Sequence, residues 1–321
     1  MFKKMFSLCV LLCLAAAALP ARADDQQLVK TARKTLQTYD KAIITLSAVI
    51  KIEVKGSETS GQSQEQRTHC LATIIDKSGL AVAPLTNLAP SFHFSRGGRT
   101  YDLDCQVQEV KYRLSDGTEV PARLVLKDED LDLAFLALLK PLDKATEPKM
   151  AFVPLSDSIA QPEMLDWTIL ISRTGEDLNY IPTLVLGRIV SLVTTPRICY
   201  ISSGGGLGVP VFNHEGKLLG MICRCVKADG SDGSSSLRSS GLLSQLILPV
   251  ADIMRLVPQA KEEVKKLAAA DKKAAKTKKK PSEPQKKPAK SEKKPADAAK
   301  KPTPPEKKPA DNKKAASAEV N

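Results

Sequence analysis

The sequence predicts an all-β domain preceded by a helix and followed by a disordered, basic tail. Three observations predict this. From Ala48 the apolar residues fall in short runs separated by polar or glycine-rich stretches, as strands and turns do. From Leu28 they recur instead at spacings of three and four, one face of a helix. After Leu267 they almost vanish, and Lys-Lys-Pro returns every seven residues from Lys279 to Pro309.

The first segment reads as an export signal. Lys3 and Lys4 precede an apolar run over 7–19, and Ala21-Arg22-Ala23 has the small-x-small form of a cleavage site. The run is too short for a spanning helix. No lipid-attachment cysteine stands at the cleavage point, so the expected product is a free chain from Asp24, periplasmic or secreted. Residues 24–47 form the N-terminal helix, with Leu28, Ala32, Leu36, Tyr39, Ile43 and Leu46 on one face. That stripe is satisfied equally by its own domain or by a second copy in a homo-oligomer.

Strands are expected at 49–54, 70–75, 109–114, 120–126, 133–138, 168–171, 183–193, 197–202, 209–212 and 218–226. Ser115-Asp116-Gly117 closes a hairpin. Loops are expected at 56–68, 91–100 and 227–240, a crossover at 142–150 and a closing helix at 250–267. The domain proper spans 48–258, with 259–270 as a helical extension. Aromatics make up only 4% of the chain, so the core must be built mainly from Leu, Ile and Val.

The tail, 271–321, holds proline in every heptad and no apolar core positions, which excludes a coiled coil and predicts an extended arm. Of the net +12, this tail carries +10 and residues 1–23 carry +3, which leaves −1 for 24–270. The basic balance therefore belongs to the arm and predicts no specific nucleic-acid face on the domain. The arm suits either a solubilising spacer or a salt-sensitive contact with anionic envelope polymers, lipid phosphates or acidic glycans. Five cysteines remain after export: Cys70, Cys105, Cys199, Cys223 and Cys225. An odd number leaves at least one thiol outside any internal pair. Cys223 and Cys225 alternate onto one face of a strand, so pairing of either with Cys199, or simple burial as thiols, fits the pattern. A zinc site has only C-x-C to support it; no metal or other cofactor is expected.

The segment from Ser202 to Met221, S-S-G-G-G-L-G-V-P-V-F-N-H-E-G-K-L-L-G-M, resembles the nucleophile loop and following strand of the HtrA (DegP-like) trypsin-like serine proteases. Their pattern there is G-N-S-G-G-P-L-V-N-x-x-G-x-(V/L)-(I/L)-G-(I/M). Asp116 to Leu136, including Asp128 and Asp132-Leu133-Ala134, is similar without a gap to the family's D-G…A-x-(L/V)-V-x-x-D-x-x-x-D-L-A. Ile74 to Val82, Val153 to Ser158, Asp166-Trp167, Gly187 to Ser191 and Leu246 to Val250 add further ordered motifs. The resemblance runs from about Ala48 to Val257 and implies a chymotrypsin-like double β-barrel, barrel 1 over 48–142 and barrel 2 over 151–258.

It implies no working triad. Asp132 falls on the aspartate that orients the catalytic histidine, but the histidine position is Thr86 (Ala89 if Leu85-Thr86-Asn87 is set on the family's L-T-N). The nucleophile position is Leu207. Neither Thr nor Ala is a base near neutral pH, and Leu has no attacking oxygen. His69, His93 and His214 lie away from the expected place and read as surface or loop histidines. Ser203 forms a literal Ser-Gly-Gly, but as nucleophile it stretches the distance to Gly216 and loses the match at Pro210 and Asn213. The family's PDZ modules have no counterpart before the Lys/Pro arm. The expected function is thus a catalytically inactive, exported binding or scaffold protein for envelope or secreted proteins, and the alternative is a residual serine endopeptidase using Ser203.

Overall fold

A computed structural model describes residues 19–55, 63–89, 92–96, 99–156, 161–195, 197–224 and 245–278; side chains are described for these except 19–24, 54–55, 92–96, 99–104 and 274–278. Helix α1 (Leu19–Tyr39) and a short 3-10 turn (Asp40–Ala42) precede strand β1 (Ile43–Lys55). Then come β2 (Ser63–Ile74), β3 (Ala81–Pro84), the one-turn α2 (Leu85–Leu88), β4 (Phe92–Arg96), β5 (Arg99–Arg113), β6 (Glu119–Asp128) and β7 (Leu133–Leu138). The second half has β8 (Trp167–Arg173), β9 (Pro182–Val193), β10 (Cys199–Ser202), β11 (Pro210–Asn213), β12 (Leu218–Cys223), β13 (Leu246–Pro249) and α3 (Val250–Lys278).

Strands β1-β2-β3-β7-β6-β5 close on themselves through β1–β5 pairing, with β4 added on β5. Strands β10-β13-β12-β11-β8-β9 close a second barrel. This is the chymotrypsin-like double β-barrel. Barrel 1 is filled by small and medium side chains such as Ile44, Leu46, Ala72, Val110 and Leu136, with Tyr112 the one large aromatic in its cluster. Barrel 2 is filled by Leu170, Ile189, Tyr200, Val211, Ile222 and Ile247. Between the barrels, Val82, Leu133 and Phe135 meet Met221, Cys223 and Leu248, and α3 covers this seam with Ile253 and Ala260. Closure removes most exposed edges, and two packed barrels bury enough Leu, Ile and Val to dispense with aromatics.

The N-terminal helix ends earlier than its stripe suggests. Leu28 and Ala32 are buried against Ile169, Ile171 and Phe212, with Leu36 and Tyr39 packed beside them, so the stripe is satisfied within the chain. Tyr39 stacks on Phe212 with ring centroids 5.3 Å apart. Ile43 and Leu46, read from sequence as the helix's last turn, belong to β1. The β-branched run Ile43-Ile44-Thr45 favours the pleat, and β1 pairs with β2 on one side and β5 on the other. The joint is fixed by the buried Arg173, which donates to the carbonyls of Asp40 and Ile43, each at 2.5 Å, and of Tyr180 at 3.0 Å.

Three other boundaries move. Residues 63–68, expected as loop, are polar and exposed yet continue β2, because β1 offers them ladder partners. Within 91–100, also expected as loop, Phe92–Arg96 forms β4 on the edge of β5. Helix α3 runs past the expected end at 267 and takes in the start of the predicted tail, where Asp271 pairs with Arg123 at 2.7 Å. The 227–240 loop and the repeat from Lys279 lie outside the described residues. Among the described residues no helix is long and apolar enough to cross a membrane.

Lys261 on α3 reaches Asp76 in the β2–β3 turn at 2.6 Å. Burial pushes the Asp76 carboxyl up, but hydrogen bonds from Lys261 and Ser78 outweigh it and bring its pKa to about 2. A folded-state value below the unfolded one gives stability that is present above the unfolded pKa and lost as pH falls through the folded one. Lys261→Ala is therefore expected to cost about 0.5 kcal/mol at neutral pH. The gap between variant and wild type should narrow below about pH 4, where the unfolded carboxyl begins to protonate, and urea denaturation at neutral and acidic pH measures it.

Candidate functional site

The site is built where the β3–α2 corner, the β6–β7 loop and the end of β12 converge. Asp132 is the last residue before β7 and has φ 56, a left-handed conformation that Asp tolerates better than most residues. Its main-chain oxygen accepts from the Leu85 amide at 3.0 Å, and its side chain turns inward, only 4% exposed. Oδ1 accepts from both the amide and the hydroxyl of Thr86, each at 2.7 Å. Oδ2 accepts from the Arg224 amide at 2.7 Å. Burial raises the Asp132 pKa, and the hydrogen bonds from Thr86 and Arg224 oppose that rise.

Thr86 thus holds the position facing Asp132. Ala89, the other register considered for the histidine, points elsewhere: it ends α2, donating to the Leu85 carbonyl at 2.7 Å, and is buried in the barrel 1 core. The structure brings Thr86 and Asp132 together in the ungapped alignment.

The nucleophile loop keeps a tight turn. Gly208 has φ 85, and a Cβ there would stand 2.5 Å from the Leu71 carbonyl oxygen and 3.1 Å from Pro84, two residues before Thr86. Only glycine fits such a conformation at that distance. The Gly208 amide donates to Ile222 at 2.8 Å, and its carbonyl accepts from the Thr73 hydroxyl at 3.4 Å. Leu207 therefore lies on the loop that meets the Leu71–Pro84 wall of barrel 1, and its side chain packs with Leu71 onto the barrel 2 core. An apolar side chain fills the place where the resemblance sets a nucleophile.

Ser203 is exposed and tied to β9. Its amide donates to the Arg188 carbonyl at 2.9 Å, and its Oγ accepts from the Arg188 amide at 2.8 Å. Among the described residues no histidine is a hydrogen-bond partner of Ser203. His69 on β2 sits beside Glu176 at 3.9 Å and edge-on to Tyr180, His214 is exposed in the β11–β12 turn, and His93 is on β4. Among the described residues no cluster of three His, Cys, Asp or Glu is arranged to hold a metal. Cys70, Cys105, Cys199 and Cys223 are buried, and no disulfide joins Cys199 to Cys223. Burial, and then the nearby Asp132 charge, push the Cys223 thiol well up, so it is a poor nucleophile. Cys225 lies outside the described residues.

Residues 78–221 match the family described as trypsin-like peptidase domain. The chain carries a trypsin-like peptidase domain fold. The match spans Thr86, Asp132 and Leu207, the three positions just placed. No curated protein matches the chain. The trypsin-like domain also uses a donor that the sequence reading missed, the Arg224 amide. A main-chain N–H leaves no mark in the identity of its residue, so only its place at the end of β12 pointed to it.

Replacing Thr86 with Val keeps the shape and removes one hydrogen bond to a buried charge. The expected loss of stability is about 1.5–3 kcal/mol near neutral pH. Because the raised Asp132 pKa should rise further, the loss should shrink as pH falls and the carboxyl protonates in the folded state. Chemical denaturation across pH measures both.

Proposed function

We propose that this is an exported, catalytically inactive trypsin-like domain of the HtrA type, without a PDZ module, that acts by binding envelope or secreted proteins. One observation carries the reading: the Asp132 oxygen that a catalytic histidine would need is held by the hydroxyl and amide of Thr86. A carboxylate satisfied by threonine orients no base, and Leu207 supplies no attacking oxygen. In genuine enzymes, loss of one triad member costs several orders of magnitude in rate. The basic n-region and apolar h-region of the first residues support export, and the −1 charge of 24–270 supports protein partners over nucleic acid for the domain.

The test is a cleavage assay with unfolded casein and with short fluorogenic peptides. The wild-type mature chain is expected to show no turnover above a buffer blank. Leu207→Ser alone is also expected to show none, because residue 86 provides no general base. Turnover that Ser203→Ala abolishes would replace this reading with the residual endopeptidase.

The Lys/Pro repeat is a separate module in this proposal, an adhesive arm for anionic envelope polymers. Removing residues 279–321 spares the Asp271–Arg123 pair and should leave the melting temperature of the domain nearly unchanged. The same truncation should abolish retention on anionic vesicles. Retention of the full chain should fall steeply towards physiological salt, where exposed charges are screened over about 8 Å. Retention that survives truncation or ignores salt would move the contact onto the barrels.

A further inference from the structure

The outer face of the β8–β9 ladder is covered at one end and bare at the other. Trp167, Ile169 and Ile171 of β8 lie opposite Arg188, Leu186 and Leu184 of β9, all on that face. Helix α1 covers Ile169, Ile171 and Leu184 through Leu28, Ala32 and Leu36. Leu186 lies outside this cluster and is exposed. So are Met164, Leu165 and Val190 at the end of the ladder. Between them Arg188 lies over Trp167, its Cζ 3.3 Å from the ring centroid. Single exposed apolar side chains are ordinary, but four around one aromatic have the form of an interaction surface.

Leu165 is held on this face against its backbone preference. The Glu163–Asp166 turn closes with the Asp166 amide donating to the Glu163 carbonyl at 3.2 Å, and Asp166 Oδ2 accepts from the Glu163 amide at 2.8 Å. Leu165, the third residue of this turn, has φ 70. A turn with positive φ at that place calls for glycine, and a leucine there is strained. Packing does not offset the strain, since Leu165 is 64% exposed. The tip is nevertheless fixed: the Leu165 amide donates to the Ile189 carbonyl at 2.8 Å, and its carbonyl accepts from Arg188 Nη1 at 2.6 Å. Glycine would serve the turn better. What leucine adds is a rigidly placed apolar anchor in solvent.

We propose that this face binds a second copy of the chain in a two-fold symmetric dimer. Its charges select that occupant. Arg188 is a cation within the patch, and Glu163 and Asp166 on the turn are anions. A two-fold contact sets one patch against itself, so a surface that carries both signs matches its own copy. Arg188 of each copy meets Glu163 of the other, and Leu165 of each covers Leu186 and Val190 of the other. An anionic bilayer or polymer is repelled by the two carboxylates, and the lysine-rich arm of this chain by Arg188. Trp and Arg are the residue types that most often carry binding energy, and Arg188 is already ordered by its stack and its bond to Leu165, with N–H groups left to offer. The stripe of α1 is consumed within the chain, so β8–β9 and not that helix receives the second copy. Four apolar side chains around one tryptophan make the centre of an interface no larger than about 800 Å² per partner, which sets the dissociation constant on the order of 10 μM.

The test is sedentation-free of any ligand: analytical ultracentrifugation of the full mature chain from about 1 to 300 μM, a range that brackets the expected constant. Trp167 is the chain's one tryptophan, so its emission reports on this face directly. Wild type is expected to pass from monomer to dimer, with the emission shifting to the blue over the same concentrations. Leu165→Gly is expected to weaken the dimer at least tenfold, as loss of an anchoring side chain does. The melting temperature of its dilute monomer should hold or rise, because glycine takes a positive φ without strain, and this separates a lost contact from a damaged fold. Glu163→Arg sets like charges across the two-fold and is expected to weaken the dimer several-fold, less so in high salt. A monomer at every concentration, or a dimer that Leu165→Gly leaves unchanged, would overturn the proposal. So would a dimer that Glu163→Arg leaves unchanged or strengthens, since the charges would then not select a second copy. Retention of a monomeric chain lacking 279–321 on vesicles, lost in Leu165→Gly, would give the face to a bilayer and overturn it as well.

Discussion

A carboxylate taken out of water must be surrounded by donors, or it protonates or the fold gives way. Asp132 is such a group, and the centre of this molecule is arranged around it. Its three accepted hydrogen bonds come from two different segments, the β3–α2 corner through Thr86 and the end of β12 through Arg224. The first belongs to barrel 1 and the second to barrel 2. Its own main chain closes a fourth link to Leu85. The interaction therefore sets the corner of barrel 1, the end of β12 and the start of β7 relative to one another. The apolar seam of Phe135, Met221 and Leu248 packs within this frame.

The same constraint separates shape from chemistry. In a protease of this fold the aspartate orients a histidine. Here threonine meets the geometric demand with a short hydroxyl, and a leucine on the facing loop packs, as Leu71 does, against the barrel 2 core. Gly208 still has the positive φ and the close approach to Leu71 that the turn requires. In the proposed reading the scaffold of a catalytic site persists because it holds two barrels together, while the groups that move protons and electrons are replaced by ones that only pack and donate.

Much of this was legible in the sequence, for physical reasons. The ungapped spacing around Asp132 and Leu207 fixed their alignment, and the unbroken apolar run of β7 gave that strand its bounds. Glycine positions were informative where the backbone leaves no alternative, as at Gly208 and at Gly187, where a Cβ would stand 2.9 Å from the Thr168 hydroxyl. What escaped lacks a side-chain signature. Ile43 and Leu46 continue a helical spacing by coincidence, and their strand is decided by β2 and β5, far along the chain. The polar start of β2 buries too little to show an alternating pattern, and β4 is decided by its pairing with β5. The Arg224 amide acquires meaning only once distant strands are side by side.

The most direct test of the central claim is the intact mass of the wild-type chain after prolonged exposure to an excess of a fluorophosphonate, which adds covalently only to a serine activated by a base. The account predicts an unchanged mass, since Thr86 occupies the carboxylate that would orient the base and Leu207 stands at the nucleophile position. A stoichiometric adduct, at Ser203 or any other residue, would contradict it.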